Sequence, residues 1–130
     1  MYKDDNHCFA CGELNPEGLH MEVDRGNGRA RAEVTLRQTH QGWKGMAHGG
    51  VVSTILDEIM AHAVVDQEPQ AATAELKIRF SKKVPLGQAL ITEGWIVSQQ
   101  KRRVTAQGEL RLKETGELLA RAESKFLVTR

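Results

Sequence analysis

A chain of 130 residues, 40% hydrophobic and 27% charged, has the size and mixture of one globular domain that buries about two-thirds of its unfolded surface. Its net charge of +1, with no long basic run, offers phosphate backbones little to hold, so nucleic-acid binding is not expected. No apolar run reaches the ~18–20 residues of a membrane span, the opening MYKDDNHC is too polar and acidic for a secretory signal, and two cysteines cannot frame a disulfide-held fold; a reducing cytoplasm is the expected setting.

Residues 1–17 read as loop, closing in the turn-prone run from Gly12 to Gly18. Leu19 to Val23 alternates as a strand does, Gly26-Asn27-Gly28 makes a hairpin turn, and Ala30, Ala32, Val34 and Leu36 alternate out of it. Thr39 to Ala47 is a loop. A helix is predicted from about Gly49 to Val65, because Val51, Val52, Ile55, Leu56, Ile59, Met60 and Ala63 recur at helical spacing, with Pro69 closing the segment. Four strands follow, over 74–80, 89–98, 104–112 and 118–128, separated by turns at Pro85 to Gly87, Gln99 to Arg103 and Glu114 to Glu117. The order is hairpin, one helix, then an antiparallel meander, in a single domain spanning 1–130. One helix cannot cover both faces of six strands, and 5% aromatic content leaves few bulky residues to help. The expected architecture is therefore α+β, a curled antiparallel sheet wrapped around one central helix, with leftover apolar surface given to a subunit contact.

The most informative stretch is HGGVVSTILDE, His48 to Glu58. Two glycines at a helix start leave amide groups without intrahelical partners and uncovered by side chains, where the helix dipole adds positive character. Such an end can receive a developing negative charge on a carbonyl oxygen under attack. Asp57, about two turns further on, brings a carboxylate to an otherwise core-like segment, on the same flank as Ser53 and Thr54. Glu58 points about 100° away, and its expected partner is His62 one turn on. His48 reads as a brace that fixes the loop so that the Gly49 amide faces a ligand. An electrophile binder and a base on one element suggest acyl chemistry.

The order ββ-helix-ββββ and the segments CFACGELNPEGL, GMAHGGVVSTILDE, ELKIRFSKKVPLG and LLARAESKF resemble the hotdog-fold acyl-CoA thioesterases of the PaaI-like group, in the 4-hydroxybenzoyl-CoA thioesterase superfamily. The resemblance covers nearly the whole chain, and HGG-x7-D is its most specific part. It implies hydrolysis of an acyl-CoA thioester, with Asp57 activating water or attacking the carbonyl itself, and with the Gly49 amide polarising that carbonyl. His48, Gly50 and Ser53 accompany them, and Thr73 opens the strand where relatives place a hydroxyl beside the water. Some relatives carry an asparagine six residues before the histidine; here that position is Gly42. The resemblance further implies a homodimer or dimer of dimers, with Asp57 of one chain near the HGG amide of the other. No cofactor is needed, because a thioester is already activated.

Arg79, Lys82 and Lys83 follow the Thr73 strand and could attract the phosphates of coenzyme A, with Lys101 to Arg103 a second cluster. The acyl group is expected between the helix and a partner, against Val52, Leu56, Met60 and Trp43. Cys8 and Cys11, beside His7, supply only two zinc ligands, so a structural role for the loop is preferred to metal or redox chemistry, and no metal is expected. Three other readings stay open: a non-catalytic acyl-CoA-binding domain, a hotdog enoyl-CoA hydratase or dehydratase, and, resting on the cysteine pair alone, a zinc-dependent interaction module built on Cys8 and Cys11.

Overall fold

The computed structural model describes residues 2–129, so Met1 and Arg130 of the expected 1–130 domain lie outside the described residues. Its elements are β1 (Val23–Gly26), β2 (Arg29–Thr35), a short 3-10 turn (Gln38–His40), α1 (Gly49–Val65), β3 (Ala71–Phe80), β4 (Ala89–Gln100), β5 (Arg103–Leu112) and β6 (Leu118–Val128). They form a six-stranded sheet in the order β1-β2-β4-β5-β6-β3, with antiparallel pairing throughout. The helix lies across the inner face of this sheet, as expected for a hotdog fold.

Local chemistry explains most boundaries. Asn27 and Gly28 both take positive φ between the paired residues Gly26 and Arg29, the tight two-residue turn that matches strand twist. The Gly28 N–H then donates to Asp66 at 3.0 Å, tying this turn to the end of α1. Two expectations need correction. The first strand starts at Val23 rather than Leu19, because the Leu19 and Met21 N–H groups donate to the Phe9 and Ala10 carbonyls and His20 has positive φ. The strands after the helix are also not one meander. β4, β5 and β6 are, but β3 runs along the far edge beside β6, and β4 instead pairs with β2.

The core is the seam between α1 and the sheet. Ile55, Leu56, Ile59, Met60, Ala63 and Val64 are fully buried, and Phe126, Leu90, Leu110 and Val104 meet them from the strands. Two glycines set how close the helix can lie. A Cβ on Gly94 of β4 would fall 2.8 Å from the Ile59 carbonyl oxygen, and one on Gly108 of β5 would fall 3.1 Å from Met60 Cγ. The helix backbone rests on strand backbone there, an approach that only glycine permits on β4. No helix among the described residues is long and apolar enough to cross a membrane.

Candidate functional site

The start of α1 is positioned by the loop before it. The Arg37 N–H donates to His40 Nδ1 at 2.9 Å, the His48 N–H donates to the His40 carbonyl at 2.8 Å, and the Ala47 N–H donates to the Val84 carbonyl at 2.8 Å. His48 is then the N-cap residue, in extended backbone at φ −63 and ψ 136. Its ring does more than brace the loop: Nδ1 accepts from the Gly50 N–H at 2.8 Å. The His48 carbonyl accepts from the Val51 and Val52 N–H groups. The glycine pair was expected to leave both leading amides uncovered, and this is corrected by the histidine cap on Gly50. Among the described residues, no acceptor meets the Gly49 N–H.

That free amide opens on a cleft of about 830 Å³ between the 41–49 loop, the start of α1 and the 80–84 segment. Trp43, Met46, Val52, Phe80, Lys82 and Lys83 contribute to its walls. Phe80 stands beside the amide: a Cβ on Gly49 would lie 3.7 Å from its ring, ordinary contact distance. Of the residues expected to receive the acyl group, Trp43 and Val52 line this cleft, whereas Leu56 and Met60 are fully buried in the core. The helical stripe is wide enough to serve both environments, and burial assigns those two to the sheet-facing part.

The basic cluster divides for a simple reason. Arg79 pairs with Arg121 on the outer face of β3 and β6, and both border a different depression of about 480 Å³. Lys82 and Lys83 lie beyond the strand end and reach the cleft, with Lys82 also 3.7 Å from Glu117. The second cluster, Lys101 to Arg103, sits at the β4–β5 hairpin and borders none of this.

Asp57 occupies the flank of α1 that faces edge strand β3. Thr73 lies opposite Phe126, whose side chain is buried on the inner face, so Thr73 shares that face. A bulge between Thr73 and Glu75 follows, which shifts the register of the strand beyond. The Thr73 hydroxyl donates to Asp57 Oδ1 at 2.7 Å, a contact that joins two residues singled out separately in the sequence. Burial pushes the Asp57 pKa above its ordinary 3.8; the Thr73 hydrogen bond pulls the other way, and the charge of Glu58 adds to the rise. The Ser53 and Thr54 hydroxyls donate back to the Gly49 and Gly50 carbonyls at 2.7 and 3.0 Å. Their protons are committed to the helix, which leaves Ser53 able only to accept.

Glu58 turns away from Asp57, as expected, and its Oε2 meets His62 Nε2 at 3.1 Å. It also meets something the sequence did not reveal: the Cys8 thiol donates to the same oxygen at 3.7 Å. Burial pushes the Glu58 pKa up, but hydrogen bonds from His62, Cys11 and Cys8 outweigh it and hold the carboxyl below its ordinary value. Burial and the facing carboxylate push the Cys11 thiol far up.

Gly42 has a structural reason to be glycine. A Cβ there would fall 2.9 Å from His48 Cα, so the loop crosses the capping histidine at backbone contact.

A family model described as the thioesterase superfamily matches residues 44–119, from the loop before α1 into β6. Human acyl-coenzyme A thioesterase 13 is 25% identical over 100 residues, covering 75% of this chain and 71% of that protein. The crystal structure of a thioesterase superfamily protein superposes with a TM-score of 0.87 at 28% identity over 94% of this chain, which spans 60% of that longer chain. The E. coli PaaI protein of the phenylacetic acid degradation operon shares the fold, with a TM-score of 0.79 at 19% identity, covering 86% of this chain and 81% of that one.

Proposed function

The chain belongs to the thioesterase superfamily, and from that premise we propose that it is an acyl-CoA thioesterase, releasing free acid and coenzyme A. The observation that carries this reading is that one helix presents both an unpartnered Gly49 amide on an open cleft and, on another flank, an Asp57 carboxylate held by Thr73. Water attacks the thioester carbonyl carbon while Asp57 takes its proton. The Gly49 N–H receives the charge that builds on the carbonyl oxygen. The tetrahedral intermediate then collapses, the C–S bond breaks, and the proton passes to the departing thiolate. His48 acts by holding the Gly50 amide, which orients the Gly49 N–H outward. Lys82 and Lys83 at the cleft suit the phosphates of coenzyme A.

The proposal includes a homodimer, or dimer of dimers, with each site shared between two chains. Asp57 follows Gly49 by eight residues, which is about 12 Å along a helix and about 80° around it. The Gly49 amide opens on the cleft while the Asp57 carboxylate faces Thr73 of β3, so the two groups of one chain sit on different flanks of α1. A second copy supplying the missing half resolves the mismatch. Edge strand β3 is available for the contact, since residues 73–77 are exposed along it together with Phe80. A cytoplasmic setting goes with this reading, supported by Cys8 and Cys11 as free thiols.

The test is thiol release from a panel of short, long and aromatic acyl-CoAs, comparing wild type with Asp57→Asn. We expect kcat to fall by about 10²–10⁴ with little change in KM. Equal turnover in the variant would remove Asp57 from the mechanism. Tight acyl-CoA binding by the wild type without turnover would favour a binding domain instead.

A further inference from the structure

On the other side of α1 from Asp57, the N-terminal loop meets the helix through three potential metal ligands. Cys8 Sγ, Cys11 Sγ and a Glu58 carboxylate oxygen all lie within 4.8 Å of one another. We propose that these residues form a binding site for a zinc-class divalent cation, which clasps the N-terminal loop to α1.

The backbone around Cys8 is arranged for a sulfur ligand. The Ala10 and Cys11 N–H groups both donate to Cys8 Sγ, at 3.3 and 3.5 Å. The Gly12 N–H closes the turn onto the Cys8 carbonyl at 2.8 Å. This turn depends on Gly12, because a Cβ there would fall 2.3 Å from the Cys8 nitrogen. Two amides aimed at one sulfur stabilise a metal-bound thiolate far better than a thiol, which is a weak acceptor.

The spacing also suits the metal. Zinc–sulfur bonds of about 2.3 Å and zinc–oxygen bonds of about 2.0 Å in a tetrahedron place S and O ligands about 3.5 Å apart, and two sulfurs about 3.8 Å apart. Cys8 Sγ and Glu58 Oε2 already stand 3.7 Å apart. Small side-chain rotations bring in the second sulfur. Two thiolates and one carboxylate favour zinc, cobalt or cadmium over calcium or magnesium, which prefer all-oxygen shells.

His62 completes the arrangement by holding the carboxylate. An Arg25 N–H faces His62 Nδ1 at 3.1 Å, and a guanidinium can only donate. Nδ1 therefore accepts, and the ring proton sits on Nε2, 3.1 Å from Glu58 Oε2. Carboxylates that bind metals are commonly fixed in this way. The fourth position of the tetrahedron is left for solvent. Sequence spacing offers only the C-x-x-C pair; the third ligand comes from a helix 47 residues further on, the separation of Cys11 and Glu58. This site stands apart from the thioesterase reading, and the failure of one leaves the other untouched.

The experiment uses the full chain, reduced and stripped of metal with a chelator, then titrated with Co²⁺ and afterwards with Zn²⁺. The expected result is one Co²⁺ per chain with thiolate-to-cobalt charge-transfer absorption, erased when Zn²⁺ displaces it. Zn²⁺ should also raise Tm by roughly 5 °C at saturation and protect both thiols from alkylation. Glu58→Gln should weaken Co²⁺ affinity at least about tenfold, and Cys8→Ser should reduce the charge-transfer band. Because a cysteine variant can fail to fold, thiol protection in the wild type is the independent measurement. Absence of thiolate–cobalt absorption in folded wild type would overturn the proposal. So would affinity unchanged by Glu58→Gln, or one metal per two chains, since either result dispenses with the carboxylate.

Discussion

Replacing Gly49 with proline tests the shared site with unusually little collateral damage. Gly49 is the first residue of α1, the helical position proline tolerates best. The preceding residue must be extended, and His48 is, at ψ 136. The N–H that proline removes has no acceptor among the described residues, so no native hydrogen bond is lost. In the proposed mechanism what disappears is one donor to the oxyanion, a loss of about 10²–10³ in kcat, or roughly 3–4 kcal/mol of transition-state stabilisation. Gly49→Ala is the control: it keeps the N–H, and its Cβ meets Phe80 at an ordinary 3.7 Å, so activity should stay near wild type. Gly49→Pro is then co-expressed with Asp57→Ala, whose own homodimer should be nearly inactive. Random pairing makes about half the dimers mixed, and each mixed dimer joins one intact Gly49 to one intact Asp57. Hydrolysis should return to about a quarter of wild type. If mixed dimers form and activity stays at background, both groups serve one site from the same chain, and the shared-site model fails.

Thr73→Val keeps the shape of Thr73 but removes the proton donated to Asp57 at 2.7 Å. That bond favours the charged carboxylate, so the Asp57 pKa should rise further and the acid limb of the kcat/KM profile should move to higher pH; an unmoved limb would separate Thr73 from the base. Gly94→Ala sets a Cβ 2.8 Å from the Ile59 carbonyl and should cost about 1–3 kcal/mol in denaturant unfolding. Gly108→Ala meets the flexible Met60 side chain at 3.1 Å and the Glu93 carbonyl oxygen at an ordinary 3.4 Å, and should cost less; the reverse order would contradict the packing described. His40 is buried with Nε2 unpartnered, and burial, helped by Arg37, holds its pKa below the ordinary 6.5. The unfolded chain therefore takes up this proton first, so the stability due to neutral His40 is complete above about pH 6.5 and is lost as pH falls through the lower folded value. Urea midpoints measured across that window should fall with pH in wild type and less steeply in His40→Gln.

The helix was legible in the sequence because apolar spacing, the two glycines at its start and Pro69 beyond its end all agree on where it runs, and the span Gly49–Val65 emerges unchanged. The Asn27-Gly28 turn was legible for a similar reason, since few residues accept positive φ twice in succession. The place of β3 was not. Neighbouring strands in sequence usually pair, but β3 is exposed over residues 73–77, and alternation along a mostly solvated strand says little about which edge it joins. The division of Arg79 from Lys82 and Lys83 follows from that strand's faces and so was hidden with them. Contacts across long stretches of chain, such as Cys8 to Glu58, leave no periodic trace at all.

Gly42 carries a second physical meaning beside the one read along the chain. Read along the chain, it is an absent amide side chain, a donor missing from the carbonyl site. In the fold it is a crossing point, where a Cβ would fall 2.9 Å from His48 Cα. The same histidine caps Gly50 and so leaves the Gly49 N–H free. A side chain at position 42 would press on the cap that sets this amide, so the position is a packing constraint as well as an absent donor. For the Gly49 donor proposed above such close packing matters, because electrostatic stabilisation depends on donors that need not reorganise during the reaction.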